Sequence, residues 1–552
     1  MDRFSSFERP KVIDRLKSSY YDLLVIGGGI TGAGIALDAA SRGLKTALVE
    51  KDDFASGTSS RSTKLIHGGL RYLKQFEIAL VREVGSERAI VHSLAPHLVV
   101  SEKMLLPIIE DGTFGKLLTS FGLMVYDVLA GVEKEDQRKM LSKEETLAIE
   151  PLLPHDILKG AGLYAEYRTD DARLTIEVLK TAAEFDADAI NYVEASDFIY
   201  EDDQVTGIKA KDILSGDVFD VQSKYVVSAA GPWVDDLRSI NHSKKGKRLH
   251  LTKGVHIVLP YEKLPIKYAL YFDVPDGRMI FAIPRGRVTY VGTTDTNYFG
   301  DKDHIVTNTE DAEYLINAVN NMYPEINLEV DDVISSWAGV RPLIHEEGKS
   351  ASELSRKDEI FESSTGLLSI AGGKLTGYRK MAQRIVDLVA EKFEDDFGKS
   401  FKKCFTHKIV LSGGVFKDAR DVSKYTNKVF EQIKAFGFDQ IDASYLVSNY
   451  GRQTDTILAR FMELKDNDYV FRLAKAELWF TLKFEMVHNP QDFFIRRTGR
   501  LYFKIERLRD LVDPVIDEFA GYFDWDDDRK QRERNKINTA IFEASNFKPA
   551  NS

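Results

Sequence analysis

Three glycines near the N-terminus have the spacing of a dinucleotide-binding motif. Gly27, Gly29 and Gly32 form a G-x-G-x-x-G sequence that directly follows the apolar run 23–26. In such a motif the first glycine permits a tight turn, the second lets a pyrophosphate approach the backbone, and the third lets a helix pack closely on the strand. The N–H groups at the start of that helix attract phosphate oxygens. The chemistry predicted here is therefore the binding of a dinucleotide.

The elements that must position these glycines are visible on either side of the motif. A helical pattern follows the glycines as far as Arg42 and Gly43, and a second apolar run, 46–49, ends in Glu50. This is the order of a βαβ unit whose terminal carboxylate accepts hydrogen bonds from a ribose. A glycine-rich turn without a ligand is the alternative. Because the unit lies near the N-terminus of a long chain, FAD is favoured over a nicotinamide cofactor.

The composition restricts the class of protein. The chain has 552 residues, of which 43% are hydrophobic and 29% charged, with a net charge of -11. This length suggests about three domains, and the acidic balance argues against a nucleic-acid-binding protein. The single cysteine, Cys404, excludes a disulfide framework and a thiol–disulfide reductase and suits a reducing cytoplasm. The histidines show no metal-ligand spacing, so no metal site is expected.

The sequence contains no strong membrane signal. The N-terminus carries early charges and no apolar core of a signal peptide. The most apolar long run is 114–132, which Lys116 and Asp127 interrupt, and a transmembrane helix needs about 20 apolar residues. We expect this run to be a core helix, with contact at a membrane surface as the alternative. The expected location is cytoplasmic, with peripheral contact to the inner face of the cell membrane left open.

Two later strands end in small residues, as the first strand does. The apolar run 225–228 stops before the Gly-Pro pair 231–232, and the run 367–371 is followed by Gly372, Gly373 and Lys374 and then by a helical pattern. The start of this helix can place N–H dipoles against the electron-rich edge of a reduced flavin. We therefore expect both strands to belong to the cofactor domain.

The predicted fold class is α/β plus α. It combines an FAD-binding Rossmann-like domain, an inserted, mainly antiparallel β-sheet substrate domain and a C-terminal helical domain. Short strand-like runs separated by Gly, Pro or Asp between 249 and 342 indicate the inserted sheet, whereas 415–545 is helical and highly charged. The predicted boundaries are 1–90, 150–245 and 345–395 for the FAD-binding domain, 91–149 and 246–344 for the substrate domain, and 396–552 for the helical domain.

Together these motifs resemble the FAD-dependent glycerol-3-phosphate dehydrogenases of the bacterial aerobic type and the related α-glycerophosphate oxidases. The resemblance covers nearly the whole chain, and its most specific part is 57–73, which runs from Ser-Ser-Arg-Ser to Gly-Gly-Leu-Arg-Tyr. The other matching segments are 26–34, 170–174, 231–233, 252–256, 292–295, 339–343, 372–380 and 492–498.

The resemblance implies FAD as the cofactor, sn-glycerol 3-phosphate as the substrate and dihydroxyacetone phosphate as the product. Electrons would pass to a quinone in a dehydrogenase and to O2, giving H2O2, in an oxidase. Streptococcal-type oxidases carry an insertion soon after the Arg-Pro-Leu motif, and the short distance from Arg341 to Gly372 leaves no room for it. This favours the dehydrogenase, with the oxidase as the alternative. A homodimer is left open, and no nucleic-acid partner is expected.

The implied reaction needs a base for the hydroxyl proton, cations for the phosphate, and positive charge near the reduced flavin. His67 is the candidate base because imidazole titrates near neutral pH, with His345 as a weaker candidate. Arg71 and Arg341 are the candidates for the phosphate because guanidinium groups pair with phosphate oxygens. Lys374 is expected to contact the substrate or the flavin. The alternatives are a histidine that only orders the following turn, and surface positions for the cations.

The remaining candidates fall into two sets. Further contacts to the substrate are expected from Tyr72, Lys253, His256 and Thr294. The residues expected to bind FAD are Gly27, Gly29, Gly32, Glu50, Thr58, Ser59, Ser62, Gly372, Gly373 and Thr376.

Two other functions stay open at the level of the sequence. An amine or amino-acid oxidase on the same two-domain plan would use an arginine to bind a carboxylate, and reduction of its flavin by D-amino acids would identify it. A flavin-binding scaffold or sensor would be a yellow protein that no polyol phosphate reduces.

Overall fold

The computed structural model describes residues 2–67, 78–110, 138–345 and 358–549. These residues form two β-sheets and a set of C-terminal helices, so the predicted α/β plus α class is confirmed. The strands in chain order are β1 (Tyr20–Ile26), β2 (Thr46–Val49), β3 (Leu65–Ile66), β4 (Val100–Ile109), β5 (Lys139–Leu141), β6 (Leu158–Arg168), β7 (Asp188–Ile190), β8 (Val193–Glu201), β9 (Gln204–Asp212), β10 (Val218–Ser228), β11 (Leu249–Pro260), β12 (Ala269–Asp273), β13 (Met279–Arg285), β14 (Val288–Gly292), β15 (Thr296–Asn297), β16 (Ser335–Ile344), β17 (Asp358–Glu362) and β18 (Leu368–Gly372).

The α-helices alternate with strands in the first part of the chain and follow one another in the last part. They are α1 (Arg9–Ser18), α2 (Ile30–Arg42), α3 (Ile78–Leu94), α4 (Lys143–Ile149), α5 (Asp171–Glu184), α6 (Val234–Ile240), α7 (Thr309–Met322), α8 (Tyr378–Phe397), α9 (Ala419–Ile433), α10 (Gln440–Tyr450), α11 (Thr454–Glu463), α12 (Tyr469–Phe484), α13 (Arg500–Phe503), α14 (Ile505–Phe523) and α15 (Asp527–Ser545).

The first sheet brings the ends of several parallel strands to one edge. Its order is β17-β18-β10-β1-β2-β7, and β9, which also pairs with β8, is joined to β10. The pairs β1–β10, β1–β2, β2–β7 and β10–β18 are all parallel. The carboxyl ends at Ile26, Val49 and Gly372 therefore lie on the same side of the sheet, which is where open α/β sheets bind ligands.

Small residues allow the helices to pack closely against this sheet. Helix α2 is buried along almost its whole length, and it is rich in Gly and Ala. A Cβ on Gly34 would lie 2.9 Å from the ring of Tyr378, the first residue of α8. Helices α2, α5 and α8 share one apolar core with β1 and β2. Because α2 and α8 are in close contact, the loop between β1 and α2 lies beside the loop between β18 and α8 at this edge of the sheet.

The second sheet is mainly antiparallel, as predicted for the insertion. Its order is β15-β11-β14-β13-β12-β4-β6-β3, with β16 paired to β11 and β5 paired to β6. Only the β12–β4 pair is parallel among the described strands of this sheet. Strands β11 and β16 pair from Leu249–Ile344 to Val258–Ser335. This long pairing brings the segment around Arg341 to the edge of the first sheet.

Strands β3 and β6 lie within the sequence range predicted for the cofactor domain, but they belong to the second sheet. Strand β6 pairs with β4 along its length, and β3 pairs with the end of β6. An apolar run predicts a strand but not the sheet that the strand joins, so the sequence carried no signal for this placement. The domain boundaries stay a proposal, which the strand pairing would refine by moving β3 and β6 to the inserted unit.

The C-terminal helices form a core of their own and also pack on the second sheet. Helices α9 to α12 build one apolar cluster, while α12, α14 and α15 share another with Tyr290 and Trp337. Arg497, at the end of a π-helical turn, donates to both carboxylate oxygens of Asp53 at 2.8 and 2.9 Å. The helical region is thereby tied to the loop after β2.

The helices of the described ranges include none with enough length and apolar character to cross a bilayer. The core helix predicted at 114–132 lies outside those ranges.

Candidate active site

A cavity of about 490 Å3 lies at the carboxyl edge of the first sheet, next to strand β16 of the second sheet. Every residue of the predicted FAD-binding set except Gly32 lines this cavity, and so do His67, Arg341 and Lys374. Residues that are far apart in the sequence therefore meet around one cavity.

The glycine turn after β1 forms one wall of the cavity. Gly27 has a φ of +113°, in the region that favours glycine. A Cβ on Gly32 would overlap the carbonyl oxygen of Gly27, so α2 can pack on the turn only with glycine at this position. The N–H of Ile30, the first residue of α2, donates to the hydroxyl of Ser59 at 2.9 Å. The start of this helix lines the cavity and suits a phosphate group.

Glu50 is held at the end of β2 by two backbone N–H groups. Oε2 accepts from Gly28 at 2.7 Å and Oε1 accepts from Asp52 at 2.9 Å. Loss of solvent around the carboxyl raises the pKa of Glu50 to about 7. The carboxylate is thus fixed in the cavity wall, where it can accept further hydrogen bonds from the hydroxyl groups of a ribose.

The loop after β2 is anchored by its hydroxyl groups and by Asp171. Thr58 Oγ1 donates to the carbonyl of Val340 at 2.7 Å. The N–H and the hydroxyl of Ser62 donate to Asp171 Oδ2 at 2.9 and 2.7 Å, and Lys64 Nζ lies 2.5 Å from Oδ1 of the same carboxylate. Asp171 is fully buried at the start of α5. Thr58 and Ser62 therefore fix the loop that forms the cavity wall.

The three predicted catalytic residues reach the cavity from three different elements. His67 directly follows β3, and its ring centroid lies 5.7 Å from that of Phe281. Arg341 belongs to β16, and Lys374 follows β18. Two glycines with positive φ, Gly372 and Gly373, turn the chain before Lys374. The cavity thus combines an imidazole, a guanidinium and an ammonium group.

Arg341 is oriented by the segment after β14. Its Nη2 donates to the hydroxyl of Thr293 at 2.8 Å, and its Nη1 donates to the carbonyl of Thr294 at 3.3 Å. Nη1 also lies 3.4 Å from Oδ1 of Asp295. The guanidinium group is therefore held in one orientation beside the cavity, which suits recognition of a phosphate.

Lys253 and His256 do not line the cavity. Lys253 is buried, and its Nζ forms an ion pair of 2.6 Å with Asp311 in α7. His256 is fully buried and stacks on Trp337, with ring centroids 4.8 Å apart. Burial lowers the pKa of His256 well below its usual value, so its imidazole is neutral. Both side chains stabilise the second sheet and its contact with neighbouring elements.

The other predicted substrate contacts and the second candidate base lie away from the cavity or outside the described residues. The hydroxyl of Thr294 accepts from the N–H of Val255 at 3.0 Å, and only its carbonyl contacts Arg341. His345 follows β16 and is absent from the cavity wall. Arg71 and Tyr72 lie outside the described residues.

Arg61 and Trp233 are among the cavity residues that the predicted set did not include. Arg61 donates from Nη1 to the carbonyl of Ala338 at 3.3 Å, and desolvation lowers the pKa of Arg61. Trp233 lies against Gly57, where a Cβ would come 3.0 Å from the indole ring. Arg61 stands inside the same hydroxyl-rich run as Ser59 and Ser62, so its position in the sequence carried a usable signal.

Two buried features support a dinucleotide in this cavity. The indole Nε1 of Trp233 is buried and has no hydrogen-bond partner among the described residues, so a ligand with an acceptor atom would satisfy it. The glycine turn brings backbone without side chains, at Gly27 and Gly29, to the cavity wall. With Glu50 at the end of β2, these donors and acceptors match the phosphates and ribose of FAD.

Two family models match consecutive parts of the chain. The FAD dependent oxidoreductase family matches residues 22–379. The C-terminal domain of alpha-glycerophosphate oxidase matches residues 404–530. The boundary between the two matches coincides with the change from the two sheets to the C-terminal helices.

Similar proteins extend over the full length of the chain. An aerobic glycerol-3-phosphate dehydrogenase of Bacillus subtilis is 50% identical over 547 residues, which are 98% of each chain. The crystal structure of a glycerol-3-phosphate dehydrogenase from Bacillus halodurans, complexed with FAD, is 43% identical with a TM-score of 0.84 and covers 98% of this chain and 99% of that one. An L-alpha-glycerophosphate oxidase of Mycoplasma pneumoniae shares the fold. It is 19% identical, with a TM-score of 0.54, and the match covers 70% of this chain and 96% of that one.

Proposed function

The chain belongs to the FAD-dependent oxidoreductase family and, within it, to the aerobic glycerol-3-phosphate dehydrogenases, and from this premise we propose that it oxidises sn-glycerol 3-phosphate to dihydroxyacetone phosphate. FAD is its cofactor. The observation that carries the proposal is the meeting of His67, Arg341 and Lys374 in the cavity that the glycine turn lines. A base and an anion site beside a flavin site are what this reaction requires.

The residues of the first sheet would hold the cofactor. The start of α2 and the turn 27–32 would bind the pyrophosphate, and Glu50 would bind the ribose of the adenosine part. The turn 372–376 would lie at the flavin, where its backbone N–H groups favour negative charge. Bound FAD supplies an acceptor for the two electrons and the hydrogen of the substrate C2 atom.

His67 would accept the proton of the C2 hydroxyl. Removal of this proton raises the electron density on C2 and helps the hydrogen leave as a hydride. Arg341 would bind the phosphate, because a guanidinium group can pair two N–H groups with two phosphate oxygens. Lys374 would stabilise the negative charge of the reduced flavin.

We propose a quinone as the electron acceptor. The similarity to dehydrogenases over the full length of the chain supports this acceptor, whereas the similarity to the oxidase extends to the fold. Use of O2 with formation of H2O2 is the second candidate.

A cytoplasmic location with peripheral contact to the cell membrane would give access to a quinone. A homodimer is a further proposal.

Anaerobic reduction of the bound flavin tests the reaction. The purified holoenzyme is mixed with glycerol 3-phosphate, with glycerol, or with a D-amino acid, and the visible flavin absorbance is followed. We expect rapid bleaching by glycerol 3-phosphate only. Bleaching by the amino acid alone would assign the chain to the amino-acid oxidases, and no bleaching by any polyol phosphate would reject the proposed reaction.

A steady-state comparison tests the acceptor and the phosphate contact. With glycerol 3-phosphate as the substrate, turnover with a soluble quinone analogue should exceed turnover with O2. Fast formation of peroxide would instead assign the chain to the oxidases.

The variant Arg341→Ala should raise KM by about 100-fold, since it removes a charge-assisted contact, and should leave the FAD content unchanged. An unchanged KM would remove Arg341 from the phosphate site.

A further inference from the structure

Gly254 in β11 faces the guanidinium group of Arg341. In the pairing of β11 with β16, Gly254 lies opposite Gly339, and Thr252 lies opposite Arg341. A Cβ built on Gly254 would come to 2.5 Å from both Cζ and Nη1 of Arg341. The guanidinium group therefore occupies the space that a side chain at position 254 would need.

The backbone of Gly254 gives no other reason for glycine. Its φ is not among the positive values of the described residues, so an L-residue can adopt this conformation. The added Cβ would meet the end of a long side chain rather than the backbone. Alanine at this position is thus compatible with the sheet but incompatible with the present position of Arg341.

This position matters because contacts with Thr293, Thr294 and Asp295 orient the guanidinium group of Arg341. These contacts to Nη1 and Nη2 are made in the position in which the guanidinium group lies over Gly254. A side chain that is already ordered loses less conformational entropy when it binds a ligand. A displaced arginine would have to be ordered by the substrate and would present its N–H groups in another direction.

We propose that Gly254 is a positioning residue for substrate recognition. The absence of a side chain at 254 lets the Arg341 guanidinium group lie across β11 beside the cavity, and this sets the preference for a phosphorylated over an unphosphorylated polyol. The proposal rests on the proposed function, in which Arg341 binds the phosphate of the substrate.

The variant Gly254→Ala tests the proposal in the holoenzyme. KM for glycerol 3-phosphate should rise about tenfold, the expected loss for a weakened hydrogen bond to a charged group. The kcat, the FAD content, the Tm and the kcat/KM for glycerol should stay at the wild-type values. Gly521→Ala is the matched control, because Gly521 is exposed in α14 with nothing near its Cβ position. It should leave KM, kcat, FAD content and the kcat/KM for glycerol unchanged, and it should raise the Tm slightly because alanine favours the helix.

A double-mutant cycle separates this proposal from the proposed function. In the Arg341→Ala background, Gly254→Ala should cause no further change of KM, because the group on which it acts has been removed. A wild-type KM for Gly254→Ala, together with a raised KM for Arg341→Ala, would overturn the positioning role and leave the phosphate contact in place. Additive effects, or loss of FAD or of thermal stability in Gly254→Ala, would assign Gly254 to another role and overturn the proposal. A wild-type KM for Arg341→Ala would reject the phosphate contact itself.

Discussion

The glycine turn (27–32) and the proposed catalytic group (His67, Arg341 and Lys374) line the same cavity but are built in different ways. The turn consists of backbone atoms from consecutive residues within one βαβ unit. The catalytic group consists of side chains that follow β3, belong to β16 or follow β18. The first is a local property of the sequence, whereas the second exists only after two sheets have formed and packed together.

This difference predicts two kinds of response to mutation. A change in the turn should remove the whole site, because the proposed contacts of the turn with the cofactor are made by the backbone itself. A change in the catalytic group should remove one step and leave the cofactor bound. The loop 57–67, which joins the two regions, should show both responses.

The largest effect is expected from Gly32→Val. Its side chain would overlap the carbonyl oxygen of Gly27, and the turn cannot move without separating α2 from β1. The strain should cost about 3 kcal/mol or more, and the purified protein should contain almost no FAD by its visible absorbance. Gly521→Ala is again the control and should retain the cofactor. Full FAD content in Gly32→Val would show that the turn is less rigid than its contacts imply.

The next effect is expected from Asp171→Ala, which releases the loop that joins the two regions. It would leave Lys64 as a buried cation that has lost its 2.5 Å partner, and it would also remove both contacts of Ser62. The free energy of unfolding of the flavin-free protein should fall by about 3 kcal/mol in denaturant titrations. The FAD content should fall as well.

The double variant Lys64→Met/Asp171→Ala should recover part of the stability lost in Asp171→Ala. Replacing both members of a buried ion pair by apolar groups removes the cost of the uncompensated charge. A double variant as unstable as the sum of the two single variants would show that the two residues stabilise the loop independently of each other.

A smaller effect, confined to one step, is expected from His67→Asn. Without the base, kcat should fall about 100-fold, which corresponds to about 2.7 kcal/mol. KM and FAD content should stay within a few-fold of the wild-type values, as stopped-flow and absorbance measurements would show. Loss of FAD in this variant would instead support the alternative that His67 only orders the turn that follows it.

The comparison also explains which parts could be predicted from the sequence. The apolar runs 23–26 and 46–49 correspond to β1 and β2, because a buried parallel strand, a glycine turn and a terminal acid are signals within a few residues of one another. The sheet that β3 and β6 join was not predictable, since β3 pairs with β6 and β6 pairs with β4, and these strands lie far apart in the sequence.

The same limit applies within the candidate site. Lys253 and Gly254 are neighbours in one motif, but successive residues of a strand point to opposite faces. Lys253 therefore contacts Asp311, while Gly254 faces Arg341. A glycine carries no chemistry of its own, so its importance appears only when the arginine from β16 lies across it.

The smallest effect sharpens the comparison at Glu50, whose carboxylate accepts a hydrogen bond from the backbone N–H of Gly28 in the glycine turn. The pKa of Glu50 is raised to about 7, and its ionised form is the proposed acceptor for the ribose hydroxyls. Below pH 7 a proton must leave before FAD binds, so the Kd for FAD should rise about tenfold between about pH 8 and pH 6, in line with the falling ionised fraction. Fluorescence titration of the flavin-free protein measures this, and Glu50→Gln should remove the pH dependence.

Stability of the flavin-free protein provides a second measurement with the opposite trend. A carboxyl whose folded-state pKa is raised binds more protons in the folded than in the unfolded state, so its contribution to stability falls as the pH rises from about 4.5 through 7. Glu50→Gln should therefore unfold like the wild type near pH 4 and at higher denaturant concentration than the wild type at pH 8. Equal denaturation midpoints of Glu50→Gln and the wild type at pH 8 would mean that Glu50 is not desolvated before the cofactor binds. In that case the pH dependence of FAD binding would have to come from another group, and the region built from the backbone would not depend on this side chain.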